Sequence, residues 1–559
     1  MILQRLAEFT SRTDALPPMY QKTRIRWIID IGLDGQLIGD DFVPLTSGEA
    51  KGKDRGKEFL APHIGRTVKI AAKLLADNAE YALGAGDDPK AVERHRAFCD
   101  LTKRCAEETG EPTVRAVQEF LLLYQDKGSL LPKEAEDGDS FTFRVNGTMP
   151  IDLPSVRSFW SRETLSGGTV MQCLICGQVT QVEERLPVKI KGIPGGQTSG
   201  TAMISANSDA FESYGLSASL ISPVCRACGE AFANSANFMI RSDQNHLRVG
   251  PTIYLFWTRE EVDFNPATVL SQPTEEDVLR LMESYRTGQK ASAVRADEFY
   301  ALSLSAAGGR VVVRDWLETT VSAAQANLGR WFTLQKLVDN DGAVGRAFGV
   351  YGLAASLYLK PNEQMVANVP RTMVRCALHG GPMPESLLNQ AVNRNRAEQG
   401  VTRNRAALTK AVMLSQLQSF KEDYMEKLEL SNTSPGYLCG RLLAELEAAQ
   451  KVAIRPKATL VDRYYGAASS APATVFGYLM RDFQVAHMSK LRKNRPGIYN
   501  AIDSRVQDIL QSLGDFPKTL TVREQAMFSL GYYHQKASNR ADARARAELK
   551  ELESEEATE

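Results

Sequence analysis

Hydrophobic positions recur at helical spacing at the start of the chain, at Ile2, Leu3, Leu6 and Phe9, and Pro17-Pro18 ends the helix they predict. Ile25, Trp27 and Ile29 then alternate with Arg24, Arg26 and Ile28, and Leu33-Asp34-Gly35 supplies a turn, so a strand and hairpin follow. Leu74 to Gly84 reads as a helix with a glycine cap, which places Asn78 mid-helix. Residues 89–125 are helical by pattern, with Phe98, Leu101, Val117 and Phe120 among the apolar positions.

The acidic run Lys133-Glu-Ala-Glu-Asp-Gly-Asp marks a first boundary. Alternation returns at Phe141, Phe143 and Val145 and again at Ile253 to Trp257, framing a β-rich part. Glu275 to Arg286 reads as a helix, and Glu298 to Leu304 with Arg310 to Trp316 as a hairpin turning at Gly308-Gly309, its second strand ending in Arg314. Helices are expected over 321–338 and 343–359, and from Pro384 onward the chain is almost wholly helical. Ser434-Pro435 starts one helix of that part, Pro472 precedes another, and Thr521 with Glu524 forms a capping box for the last. The expected fold is therefore α+β and multidomain: a mixed N-terminal domain (1–135), a β-rich domain (136–260), an α+β connecting region (261–383) and a C-terminal helical bundle (384–559).

Composition narrows the class. At 559 residues the chain exceeds one hydrophobic core, and 43% hydrophobic with 24% charged residues is ordinary for a globular protein. Lys+Arg and Asp+Glu are equal at 67 each, so contact with a polyanion must come from local clusters. The start lacks an apolar signal segment and no run of about 18 apolar residues could span a bilayer, which gives no membrane partner. Eight cysteines, four of them in short pairs, fit a reducing compartment, and the expected location is the cytoplasm.

Cys173-Leu-Ile-Cys176-Gly177 and Cys225-Arg-Ala-Cys228-Gly229 frame 48 residues. Two such knuckles suit a tetrahedral Zn²⁺ in a zinc-ribbon-like site, because each short turn aims amides at the sulfurs. All four positions are filled by protein, so the expected metal is structural. Free buried cysteines or a redox pair are the alternatives. Between the knuckles lies a glycine-rich stretch, Lys189 to Gly200, that carries Gln197.

Four local groups are candidates for nucleic acid. Lys51, Lys53 and Arg55, followed by Arg66, place cations among glycines that let the main chain approach a phosphate backbone. Asn78 carries an amide suited to a base edge. In the helical part, Arg394, Arg396, Arg403 and Arg405 with Lys410 form one cluster, and Lys490, Arg492, Lys493 and Arg495 another. Taken alone, the loop reads better as a solvated segment and Asn78 as a surface or capping residue, while for each helical cluster a solvated face is an equal alternative.

Enzyme signatures are missing. Gly195 and Gly200 have P-loop spacing, but Thr201 stands where the phosphate-binding Lys belongs. There is no His-Glu-x-x-His, no Gly-x-Ser-x-Gly, and no His-x-Glu to pair with the cysteines. The chain is expected to bind and not to catalyse. A zinc-ribbon scaffold that binds proteins without touching nucleic acid is the alternative.

In order along the chain, Ile25-Arg-Trp27, Pro62-x-x-Gly65-Arg66-Thr67, Asp77-Asn78-Ala-Glu80-Tyr81, Lys191-Gly192, Gly196-Gln197, Ser199-Gly200, Ala210-Phe211-Glu212-Ser213-Tyr214-Gly215, Arg310 to Trp316, Gly440-Arg441 and Leu530 to Gln535 resemble the large subunit of the CRISPR type I-C Cascade complex. The resemblance implies a non-enzymatic subunit that senses the protospacer-adjacent motif in target double-stranded DNA, aids its opening and recruits a helicase-nuclease. It implies partners too: Cascade backbone subunits holding crRNA, and a small subunit made from an internal start in the same frame, for which Met413 and Met425 are candidates. Motif sensing then falls to Lys51, Lys53, Arg55 and Arg66 on phosphates with Asn78 and Gln197 near bases, and Lys490 to Arg495 meets the displaced strand. Zinc rests on the spacing in this sequence and not on the resemblance, since family members commonly carry the Cys173-type position without a full quartet.

Overall fold

The structure, a computed structural model, describes residues 2–12, 19–46, 56–64, 70–86, 88–124, 131–135, 138–163, 169–206, 208–288, 297–340, 342–417, 419–421 and 423–556. Two compact units result: residues 1–192 with 197–238 and 308–311, and residues 193–196 with 239–307 and 312–559.

In the first unit, the predicted strand and hairpin resolve into β1 (Tyr20–Ile25), β2 (Trp27–Ile31), β3 (Val43–Pro44) and β4 (Lys57–Pro62), joined by β5 (Ala76–Asn78) and β6 (Ser140–Val145). β1 pairs antiparallel with β4, Tyr20 opposite Pro62. The larger sheet has the order β3-β2-β6-β5, with β2 and β6 parallel and Trp27 opposite Phe141. β6 lies just beyond the boundary expected at 135, yet it is an inner strand of this sheet. Trp27 Nε1 donates to Asp139 Oδ2 at 3.0 Å, tying the acidic stretch to it as well. The helices Ala91–Thr109 and Pro112–Leu123 bury Phe98 and Phe120 against Phe143 at ring distances of 6.3 and 5.8 Å.

The helix expected over 74–84 is instead strand β5 followed by one turn, Ala79–Ala82. Backbone pairing of Ala76 with Thr142 and of Asn78 with Ser140 outweighs local helix propensity. Two short strands, β7 (Thr169–Gln172) and β8 (Val179–Val182), form an antiparallel hairpin, and the helix Arg226–Arg241 follows Cys225.

The second unit opens with β9 (His246–Val249), β10 (Thr252–Thr258), β11 (Glu298–Ala307) and β12 (Arg310–Thr320), ordered β12-β11-β10-β9. β12 continues past the end expected at Arg314, to Thr320. Of the helix expected over 343–359, Val350–Ala355 forms. A side chain on Gly349 would meet Ser271 O at 2.0 Å, and Phe348 N donates to Gln335 Oε1 at 2.8 Å, so the approach is held extended by its contacts.

The helical bundle appears as expected. Pro435 occupies the first turn of Pro435–Ile454, and in the capping box Thr521 N donates to Glu524 Oε2 at 2.7 Å and Glu524 N to Thr521 Oγ1 at 3.3 Å. Pro435–Ile454 packs against Val522–Glu556 at backbone contact distance: a Cβ on Gly440 would stand 2.0 Å from Phe528 O, and one on Gly531 2.1 Å from Tyr437 O. Fully buried Glu445 takes a two-pronged bond from Arg505, at 2.9 and 3.0 Å.

Candidate metal centre and nucleic-acid interface

The β7–β8 hairpin carries the first knuckle. Cys173 N donates to Gln178 O and Gly177 N to Cys173 O, both at 2.9 Å, and Gly177 takes a positive φ of 75° that closes the turn. The second knuckle opens the helix Arg226–Arg241 directly, so the pairs come from a hairpin and a helix start. Val182 bridges Cys225, and Leu174 N donates to Pro223 O at 3.0 Å, locking the two knuckles together.

All four sulfurs lie within 4.8 Å of one another, with Cys176 Sγ and Cys225 Sγ 3.9 Å apart. A tetrahedron with Zn–S bonds of about 2.3 Å has S···S edges of about 3.8 Å, so this donor set fits zinc. Burial pushes the Cys173 thiol up, but the amides of Cys176, Cys225 and Ile175 outweigh it and bring it down to about 7. Cys225 N itself donates to Cys173 Sγ at 3.3 Å. Burial raises the Cys225 and Cys228 thiols, and the nearby Cys173 sulfur raises both further. Four soft thiolates without a cation would repel one another, and a divalent metal relieves that repulsion. Below the centre, Arg226 bridges Glu183 and Glu230, each at 3.3 Å, and Glu230 accepts from Met19 N at 3.1 Å. Arg226 and Glu230 thus brace the start of this helix against the chain just before β1.

Of the candidates for nucleic acid, Lys51, Lys53, Arg55 and Arg66 lie outside the described residues. Gly56, just before β4, has a φ of 80°, and a Cβ there would stand 1.9 Å from Ile25 O of β1. Asn78 is the N-cap of Ala79–Ala82: its Oδ1 accepts from Tyr81 N at 3.3 Å. Buried Asp77 fixes the preceding backbone by accepting from Lys73 N and Asn78 N, both at 2.9 Å. With the oxygen committed to the cap, Asn78 offers a contacting group the hydrogens of Nδ2. Gln197 is exposed beside Gly309, in the turn closed by Gly200 N donating to Gln197 O at 2.9 Å.

Lys490, Arg492, Lys493 and Arg495 are all exposed, on the short helix Ser489–Asn494 and its end. Lys490 and Arg495 line a cleft of about 320 Å³ together with Asn494 and Arg455. Arg455 is not among the residues singled out from the sequence and joins the others through folding. The cluster Arg394 to Lys410 is a different matter. Arg405 is buried between Asn395 Oδ1, Ser356 O and Glu398, Arg394 pairs with Glu398, and buried Lys410 donates to Lys336 O at 2.5 Å. Arg403 donates to Leu337 O and lies over the Phe348 ring. These four cations are struts whose charges are spent inside the fold, whereas Arg396 of the same cluster is exposed.

Residues 3–539 match the model of a family described as CRISPR-associated protein (Cas_Csd1). The chain belongs to that family. A search of curated proteins finds no match. Membership in the Csd1 family agrees with the resemblance to the large subunit of type I-C Cascade and makes the chain a CRISPR-associated Cascade component. Among the described residues of this Csd1-family chain, no helix is long and apolar enough to cross a membrane.

Proposed function

We propose that this chain is the non-enzymatic large subunit of a type I-C RNA-guided complex, which senses a short flanking motif in duplex DNA, helps to part the strands and recruits a helicase-nuclease. The family match across residues 3–539 carries the reading. Guide pairing reads most of the target, so the protein needs a small reader and backbone contacts, which suits a chain with no net charge. Asn78 supplies the reader, on a turn fixed by Asp77 and by its own cap, with Gln197 as a second amide. Lys51, Lys53, Arg55 and Arg66 supply phosphate contacts, and the exposed Lys490 to Arg495 group lies along the displaced strand. The four-cysteine centre holds structural zinc. The helical part is also made as a separate small subunit from Met413 or Met425.

Titrating the assembled complex against duplex tests this. Lys53→Ala should weaken binding in a salt-dependent, sequence-independent way, and Asn78→Ala in a motif-dependent way. Unchanged affinity for both would reject the assignment. Replacing Met413 and Met425 by Leu should abolish a short C-terminal product, and its persistence would reject both starts.

A further inference from the structure

A ladder of backbone pairs runs outward from the cysteine centre. Val182 bridges Cys225, Glu183 N donates to Val224 O at 3.1 Å, Ser219 N to Glu184 O at 2.9 Å, and Ala206 N to Ala218 O at 3.0 Å. Beyond the ladder the chain makes a short helical turn, Asp209–Phe211, and then a tight reversal. Ser213 and Leu216 are bridged across it, with Leu216 N donating to Ser213 O at 3.0 Å. Both central residues have positive φ, 55° at Tyr214 and 69° at Gly215.

A two-residue reversal of this hand favours Asn or Gly at its first central position, and a bulky side chain there is strained. Tyr214 is the residue that local stability would choose last. Its side chain repays nothing within the fold, since Tyr214 is 98% exposed. Nearby, Phe211 is 45% exposed and is held by Arg310, whose guanidinium lies 4.0 Å from the ring centroid. The turn therefore presents a ring outward on a stalk rooted at the cysteine centre. Such a ring suits a contact made with another molecule, where Tyr gives a large rigid area with a polar tip.

Charge selects the occupant. Asp209 and Glu212 are both exposed on this finger, and the one cation among its described contacts, Arg310, is engaged on Phe211. Two carboxylates beside the ring oppose a phosphate backbone and favour a surface that carries Lys or Arg. Subunits that coat a guide RNA must be cationic.

We infer that residues 208–216 form a docking finger, with Tyr214 seated in an apolar socket rimmed by Lys or Arg on another protein subunit of the complex. This rests on the reading of the chain as a subunit of an RNA-guided complex.

The test uses the full chain co-expressed with its neighbouring subunits and guide RNA. Tyr214→Ala and Tyr214→Asn change an exposed side chain, and the second installs the residue the turn prefers, so melting of the isolated chain should be unaltered or improved. Both variants should join the remaining complex about tenfold more weakly or worse, the scale of a lost anchor residue. Asp209→Asn with Glu212→Gln should flatten the salt dependence of assembly. Tyr214→p-benzoylphenylalanine should photocrosslink to a protein subunit. Crosslinking to DNA or RNA, or wild-type assembly of both Tyr214 variants, overturns the finger while leaving the wider reading intact. If the wild-type chain recruits no guide RNA at all, the wider reading fails and the finger with it.

Discussion

Asn78 Oδ1 accepts from Tyr81 N at 3.3 Å, so the amide expected to read DNA also caps the turn that follows it. Asp preserves such a cap but has no hydrogens to donate, and Ser preserves it without adding charge, whereas Ala removes it at a typical loss of about 1 kcal/mol. Asn78→Asp and Asn78→Ser should therefore melt like the wild type, while Asn78→Ala should melt lower. Discrimination between motif-bearing and scrambled duplex should fall about tenfold in Asn78→Asp and Asn78→Ala. Retained discrimination in Asn78→Asp would remove Asn78 from the reader.

Cys173 and Cys228 come from the two knuckles and share one centre with Cys176 and Cys225. Plasma emission on the purified chain should find about one zinc per chain. Cys228→Ser should lose that zinc and lower the melting temperature by several degrees, because the hairpin and the helix Arg226–Arg241 lose their common tie. Full stability in the metal-free variant would make the cysteines ordinary core residues.

His534 is buried, with Nδ1 2.9 Å from Tyr437 Oη, and burial together with nearby Lys410 holds its pKa down at about 3 against an ordinary 6.5. The unfolded chain then binds the extra proton between those values, so stability falls as pH drops from 6.5 towards 3, by about 1.4 kcal/mol per pH unit from this group. Burial likewise brings Lys410 down to about 8 from 10.5, which makes stability rise with pH across that upper window. Urea unfolding at stepped pH should show both slopes. His534→Gln should flatten the acid one and Lys410→Met the alkaline one. Unchanged slopes would mean that these groups titrate alike in both states.

Gly440 lets the Pro435–Ile454 helix approach Val522–Glu556, and an added methyl would meet Phe528 O at 2.0 Å. Backbone cannot step aside as a side chain can. Gly440→Ala should cost about 3 kcal/mol or more by denaturant unfolding, despite the better helix propensity of Ala. A neutral or stabilising result would show that the helices can separate freely.

The sequence made the bundle legible, because Pro435, the Thr521–Glu524 box and the apolar stripes act within one helix. It showed the four cysteines for the same reason, since each pair is local and repeats the other. What it hid depends on pairing between distant residues. Ala76 to Asn78 carries helix-forming neighbours, yet it is a strand because β6 lies beside it. Arg405 and Lys410 look like a surface cluster until Glu398, Ser356 and Lys336 close around them. Arg455 joins Lys490 and Arg495 across 35 and 40 positions of chain, a meeting that only the folded helices make. Tyr214 left one trace, an aromatic before Gly in a polar stretch, but its exposure and its positive φ belong to the folded turn.

The most direct test of the account is the affinity of the assembled wild-type complex for target duplexes that differ in the flanking trinucleotide alone, at fixed salt. The account predicts at least about a tenfold preference for one trinucleotide family, with the guide-matched segment held constant. Equal affinity across all flanks would contradict it.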